Sequence, residues 1–312
     1  MKRVLSLLTI LFLSLLGCSE GDPQGTIWHS GAEEELIAFI RRAVGQESGE
    51  IYVINPDGSN VRLQGNVETR ASGDLHWSPD GESLALLRNS RIFILSERGV
   101  VGKPLETYVR PENLTWSPDG NYMAFQSGHE VIDGWSAVRI YVSVSSYPGV
   151  VRTLPLLDTI DLWDAEPSWS PDGTKIAFSS DRGRDGYEDI YLMNPDGSQL
   201  ERLTWPPIAK SRPVWSPDGT KIAFEGEGNG NGSTSIYVMN ADGSDIFQVT
   251  HNLTRGNHTP TWSPDGTRLA FTSDHEGNPE IYVINVDGTG LRRLTYYPGD
   301  DYAPTWSCGK TF

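Results

Sequence analysis

The chain has 312 residues, with 33 Gly, 20 Pro, 10 Trp and only 2 Cys, and 41 acids against 25 bases give a net charge of −16. Ten Trp and a 37% apolar share exclude a disordered chain. Two Cys exclude a disulfide-dense scaffold or a four-cysteine zinc site, and the acidic balance argues against nucleic acid as a partner.

In chain order, Lys2 and Arg3 precede an apolar stretch from Val4 to Leu16. It is too short to span a bilayer as a helix but suits the core of a signal peptide. It ends in Leu15-Leu16-Gly17-Cys18, which resembles the bacterial lipobox. The resemblance implies that residues 1–17 are removed and that Cys18 is lipidated and becomes the mature N-terminus. Removal takes two bases and no acid, so the mature chain is more acidic still. Residues 18–35 are polar, show no period and read as a lipidated Cys followed by a flexible linker.

Everything after that is repetitive. Trp-Ser-Pro-Asp-Gly begins at Trp77, Trp116, Trp169, Trp215 and Trp262, and a degraded copy begins at Trp306. Out of phase with it runs Ile-Tyr-x-x-Asn-x-Asp-Gly, from Ile51, Ile190, Ile236 and Ile281, with looser copies around Phe93 and Tyr141. A third string, Ile-Ala-Phe or a close variant, begins at Ile37, Leu84, Met123, Ile176, Ile222 and Leu269. Each unit therefore reads as four strands, A to D. Pro and Gly set type I turns between A and B and between C and D.

About 45 residues cannot bury both faces of such a unit, but six units in a ring can. Length alone, at about 150 residues per domain, would have given two domains; the repeats replace that expectation. The fold expected over residues 36–312 is all-β, a six-bladed propeller of four-stranded antiparallel blades. The chain starts at strand B and finishes at strand A, so the C-terminal strand should join the first blade and close the ring.

The best copy, Trp169-Ser-Pro-Asp-Gly-Thr-Lys-Ile-Ala-Phe continuing through Ile190-Tyr191 to Leu203-Thr204, resembles the TolB-type propeller with its Pro-Asp kind of WD-like repeat. Full TolB carries an extra N-terminal α/β domain for which residues 19–35 leave no room. The resemblance therefore implies the propeller module and a partner in the cell envelope.

The near-constant Asp-Gly turns mark one face of the ring, and the variable B–C and D–A connections converge on the other. Trp135, Trp163 and Trp205 fall in loops on that side, beside Asp164, Tyr296, Tyr297 and Tyr302. Three residues before each repeat Trp, the chain should reach the central channel, at Asp74, Asn113, Glu166, Arg212, Thr259 and Ala303, with His258 adjacent. Exposed aromatics next to charges suit protein recognition, with a glycan as the other candidate ligand. Oxygen ligands at Asp74 and Glu166 are compatible with a channel-mouth cation, but ordinary solvated residues account for them. The six His show no zinc spacing, and Cys308 has no evident base beside it, so no catalytic residue, metal or cofactor is assigned.

The function expected is a monomeric, membrane-tethered extracytoplasmic lipoprotein. It would act as a non-catalytic scaffold that binds an envelope protein or peptide through the variable-loop face and touches the membrane only through its lipid. The alternative is a carbohydrate-active enzyme, a polysaccharide lyase or glycosidase, with its site at the channel mouth.

Overall fold

The turns follow directly from their side chains. In Ser78-Pro79-Asp80-Gly81 the Gly81 N–H closes onto the Ser78 carbonyl at 2.9 Å, with φ +70 at Gly81. The Ser78 hydroxyl donates to Asp80 and accepts the Ser83 N–H, so one short side chain starts strand B. The same pair recurs at Ser117/Asp119, Ser170/Asp172, Ser216/Asp218 and Ser263/Asp265. Between C and D, Asp57, Asp196, Asp242 and Asp287 each accept the N–H two residues on. Gly243 is required in its turn: φ is +84 and a Cβ would lie 2.5 Å from the Leu203 carbonyl of the neighbouring blade.

The computed structural model describes residues 35–70, 75–88, 91–96, 99–105, 111–132, 135–144, 151–153, 162–227, 233–251 and 255–307. Cys18, the leader, the linker up to residue 34, Asp74 and Cys308 lie outside them. In chain order the strands begin with β1 (Ile37–Arg42), β2 (Ser48–Ile54) and β3 (Arg62–Arg70). The second blade is β4 (Leu75–Trp77), β5 (Ser83–Arg88), β6 (Arg91–Ser96) and β7 (Gly99–Leu105). The third is β8 (Pro111–Trp116), β9 (Tyr122–Ile132), β10 (Trp135–Val144) and β11 (Val151–Thr153). The fourth is β12 (Asp164–Trp169), β13 (Ile176–Ser180), β14 (Asp189–Met193) and β15 (Glu201–Arg202). The fifth is β16 (Lys210–Trp215), β17 (Lys221–Glu227), β18 (Thr234–Asn240) and β19 (Phe247–Gln248). The sixth is β20 (Asn257–Trp262), β21 (Arg268–Ser273), β22 (Glu280–Asn285) and β23 (Arg292–Arg293), and β24 (Asp300–Trp306) follows.

These form six antiparallel four-stranded sheets, and the expected closure is present: the first blade reads β24-β1-β2-β3. Ile37 pairs with Trp306 and Arg42 with Asp300. At the turn end, Leu36 and Ser307 exchange hydrogen bonds of 2.8 and 3.0 Å. At the loop end, Arg41 grips Asp301 at 2.7 and 2.8 Å, and Arg42 binds Asp300.

The Ile-Ala-Phe string explains how blades stack. Alternation along a strand puts Ile and Phe on one face and Ala on the other. Each large face then meets the small face of the preceding blade. Phe178 packs in one buried cluster with Ala124, Phe224 with Ala177, Phe271 with Ala223, Phe39 with Ala270 and Phe125 with Ala85. In the second blade Leu86 takes the Phe place, against Ala38. Each of these Phe rings also lies across from a Tyr on strand C, with centroids 5.5 to 6.0 Å apart.

Both sides of this contact should be sensitive. Phe224→Ala empties a buried ring site and should lose about 3–5 kcal/mol. Ala177→Leu crowds the facing side and should lose about 1–3 kcal/mol. Urea unfolding of the two variants checks the order; a tolerated Leu at 177 would contradict close stacking there.

Candidate functional site

In five of the six blades the inner strand carries a bulge at the position three residues before its Trp. Asn113, Glu166, Arg212, Thr259 and Ala303 have φ between 49 and 55, a left-handed conformation without glycine. Such residues cost on the order of 1–3 kcal/mol each unless their surroundings hold them. The holding device comes from the neighbouring blade. A left-handed residue turns its N–H out of its own ladder, and that donor needs a partner. Gln126 Oε1 accepts the Glu166 N–H at 2.7 Å, and Glu166 Oε2 accepts the Arg212 N–H at 2.7 Å. Glu225 Oε1 accepts the Thr259 N–H at 2.7 Å, and Thr272 Oγ1 accepts the Ala303 N–H at 3.1 Å.

Gln126, Glu225 and Thr272 were not singled out from the sequence. Their signal is the position after Ile-Ala-Phe, which points the same way as the Ala, toward the next blade. It is polar at Gln126, Ser179, Glu225 and Thr272 and apolar at Ile40 and Leu87.

Together these residues make a polar mouth at the loop end of the channel. The Arg212 Nε lies 3.2 Å from Glu166 and 3.3 Å from Glu225. His258 Nδ1 lies 3.1 Å from the other Glu225 oxygen. A Cβ at position 256 would collide with the His258 ring, which explains Gly256. Ser179 donates to Glu166 at 2.9 Å, and Asn113 donates to Gln126 at 2.8 Å. Below the mouth, Pro167, Pro213, Pro260 and Pro304 line a cavity of about 120 Å³ with His76 at its wall. At the turn end the channel opens between Trp116, Trp169, Trp215 and Trp262.

Burial raises the Glu166 carboxyl above its usual range, with Glu225 adding to it against the pull of Arg212. Burial and the Arg212 charge push His76 down to about 4. Among the described residues, no three His, Cys, Asp or Glu side chains gather as a metal-ligand set.

The remaining candidates separate into displayed and committed groups. Trp163, Trp205 and Tyr296 are 46%, 61% and 73% exposed. Trp163 is fixed by its N–H to Asp181 at 2.9 Å and by a bridge to Val138. Trp205 rides on a loop whose Trp205 and Ile208 carbonyls both bind the buried Lys210 ammonium, itself 3.0 Å from Asp189. Tyr296 lies under the Arg293 guanidinium at 4.5 Å.

Three expected surface residues face other tasks. Asp164 is buried because Arg182 and Ser180 satisfy it, with contacts of 2.6 Å. Tyr297 stacks under Arg41 at 4.4 Å and Tyr302 under Arg42 at 5.5 Å, so both belong to the ring-closing latch. Trp135 is not in a loop. It pairs with Ile132 at the tip of the long β9–β10 hairpin, which extends the third blade on the loop side.

A ring of six such blades, with stapled inner strands and a polar mouth under variable loops, defines a β-propeller of the repeat-built kind. The chain belongs to the TolB beta propeller domain family, whose pattern matches residues 30–231 and 208–312. It is similar to TolB from Acinetobacter baumannii at 21% identity and a TM-score of 0.71, covering 89% of this chain and 67% of that one. It is also similar to a putative TolB from Agrobacterium tumefaciens at 23% identity and a TM-score of 0.67, covering 88% and 98%. An oligogalacturonate lyase from Vibrio parahaemolyticus shares 13% identity with a TM-score of 0.57, covering 84% and 80%.

The His258–Glu225 contact gives a pH signature. The hydrogen bond to Glu225 raises the imidazole above its ordinary 6.5, against burial and Arg212, with Asp274 assisting. A raised value means that the contact's contribution is whole below about pH 6.5 and fades as pH climbs through the folded-state value. The melting-temperature gap between the native chain and His258→Gln should therefore be widest near pH 6 and shrink by pH 9. A gap that widens with pH would contradict the assignment.

Proposed function

We propose that the chain is a lipid-tethered extracytoplasmic protein that works as a non-catalytic scaffold, holding a partner protein of the cell envelope on its variable-loop face. The observation that carries the reading is the rigid display of Trp163, Trp205 and Tyr296. Three exposed aromatics stand on loops fixed by buried ion pairs, around a polar channel mouth. Aromatic anchors with little freedom to lose are what a protein interface uses for affinity. Family membership supports a scaffold, and the TolB likenesses support an extracytoplasmic setting.

The lyase likeness bears on fold alone. For the carbohydrate reading, Glu166 is the carboxyl to watch, since it is raised and lies at the mouth. Glycan turnover that disappears in Glu166→Gln would replace the scaffold reading with an enzyme.

Two measurements check the proposal. Mass spectrometry of the mature N-terminus should find an acylated Cys18; an intact leader or a bare Cys18 would remove the tether. Crosslinking on membranes should recover one envelope protein. Retention by the Trp163→Ala, Trp205→Ala double variant should fall at least about tenfold, the size of two aromatic anchors lost from an interface. Undiminished retention would move the interface elsewhere.

A further inference from the structure

Two residues of the fifth and sixth blades depart from the repeat, and they meet across one interface. Phe247 pairs with Val238 on the neighbouring strand. The same register place holds Arg62, Glu201 and Arg292 in the first, fourth and sixth blades. A charged side chain suits an outer strand that meets water. Phe247 does not, yet it is 42% exposed, and Ile246 beside it is 46% exposed. The second departure is Val286, which stands where Pro56 and Pro195 follow the Asn of their turns. Val238, Phe247 and Val286 wall a groove of about 570 Å³ between the two blades, at the turn end of the ring. Exposed apolar side chains gathered at a groove of this size mark a docking place.

The chain itself supplies the occupant. The first described residue, Glu35, accepts a hydrogen bond from Arg268 Nη2 at 3.1 Å. Arg268 follows Thr267 and pairs with Asn285, and both of those line the groove. The point of entry is thus about one blade's thickness from the groove, ~10 Å. Residues 19–34 lie outside the described residues, and their large apolar side chains are Ile27 and Trp28. Trp28 stands 7 residues ahead of Glu35, a reach of up to about 23 Å at ~3.3 Å per residue. Small Ser30, Gly31 and Ala32 lie between them.

We propose that Ile27 and Trp28 dock in the groove between the fifth and sixth blades, so that the N-terminal segment forms a strap across the turn end of the ring. The strap deepens the tether reading, although docking itself needs no lipid. A linkage this short gives an effective concentration on the order of 1 mM, so a contact as weak as about 0.1 mM keeps the groove mostly filled. The free tether then runs only from Cys18 to Thr26. It would hold the lipid within about 30 Å of the groove, at ~3.3 Å per residue, and keep the turn end toward the membrane.

The test is hydrogen exchange of the full chain, read by mass spectrometry on peptides spanning residues 24–34, with methyl NMR reading the groove. Trp28→Ala should speed exchange over residues 26–30 about tenfold, the ratio of the two concentrations above. Phe247→Ser should do the same, and the double variant should go no further than either change alone. The methyl signals of Val238, Ile246 and Val286 should shift in Trp28→Ala as the ring leaves, while those of Val53 in the first blade stay in place. Should Phe247→Ser disturb the fifth blade, the methyl shifts in Trp28→Ala decide alone, because that change lies outside the strands. A segment that exchanges as an unprotected peptide, protection that survives Phe247→Ser, or groove methyls unmoved by Trp28→Ala would overturn the strap. Protection that falls on dilution would give the groove to a second copy of the chain and overturn it as well. An acylated Cys18 with an unprotected segment would leave the tether and remove the strap. A bare Cys18 with a protected segment would do the reverse.

Discussion

Phe224 packs with Ala177 of the blade before it, and the same large-on-small contact recurs at every interface of the ring. This contact gives the stack a direction. Each blade presents its bulky face backward and its small face forward, so blades can only follow one another in one sense. A single sheet of this size leaves a bulky row uncovered, and only closure covers the last one. That is why β24 must return to β1: without it the Phe39 face of the first blade and the Ala270 face of the sixth would both meet water.

The polar mouth is a second layer built on the first. The residue after Ile-Ala-Phe points forward like the Ala, so it arrives at the next blade's inner strand whatever its chemistry. Where it is Gln126, Glu225 or Thr272 it captures the N–H of a left-handed residue. Ser179 is too short to cross, and Glu166 spans the next gap with its own side chain instead. The polar groups at the mouth are therefore also inter-blade staples.

Much of this could be read from the residues. The Trp and Ile-Ala-Phe strings give six blades, their register and the closing strand, because turn chemistry and period-two alternation act locally. The channel positions follow from the same register. Their left-handed backbone does not, because it depends on a hydrogen bond from a residue about 40 positions away. The fate of Tyr297 and Tyr302 was hidden for the same reason, and Asp164 is taken up by Ser180 and Arg182 at the end of the adjacent strand. An Asp or Tyr in a loop looks like a displayed group until its Arg partner is placed, and Arg41 and Arg42 lie some 260 residues from Asp300 and Asp301. Trp135 was misplaced because the third blade's hairpin runs beyond the length its repeat suggests.

The described chain begins at Glu35 and closes at Ser307, and both lie at the turn end, beside the paired Leu36 and Ser307. A pull applied ahead of Leu36 would therefore act along the axis of β1. That strand is hydrogen-bonded on both sides, to β24 and to β2, and its bonds lie across the direction of the pull. They would be loaded together, in shear, rather than one at a time as in peeling. The ring is thus fastened by a strand suited to bearing tension, with the variable loops at the opposite end.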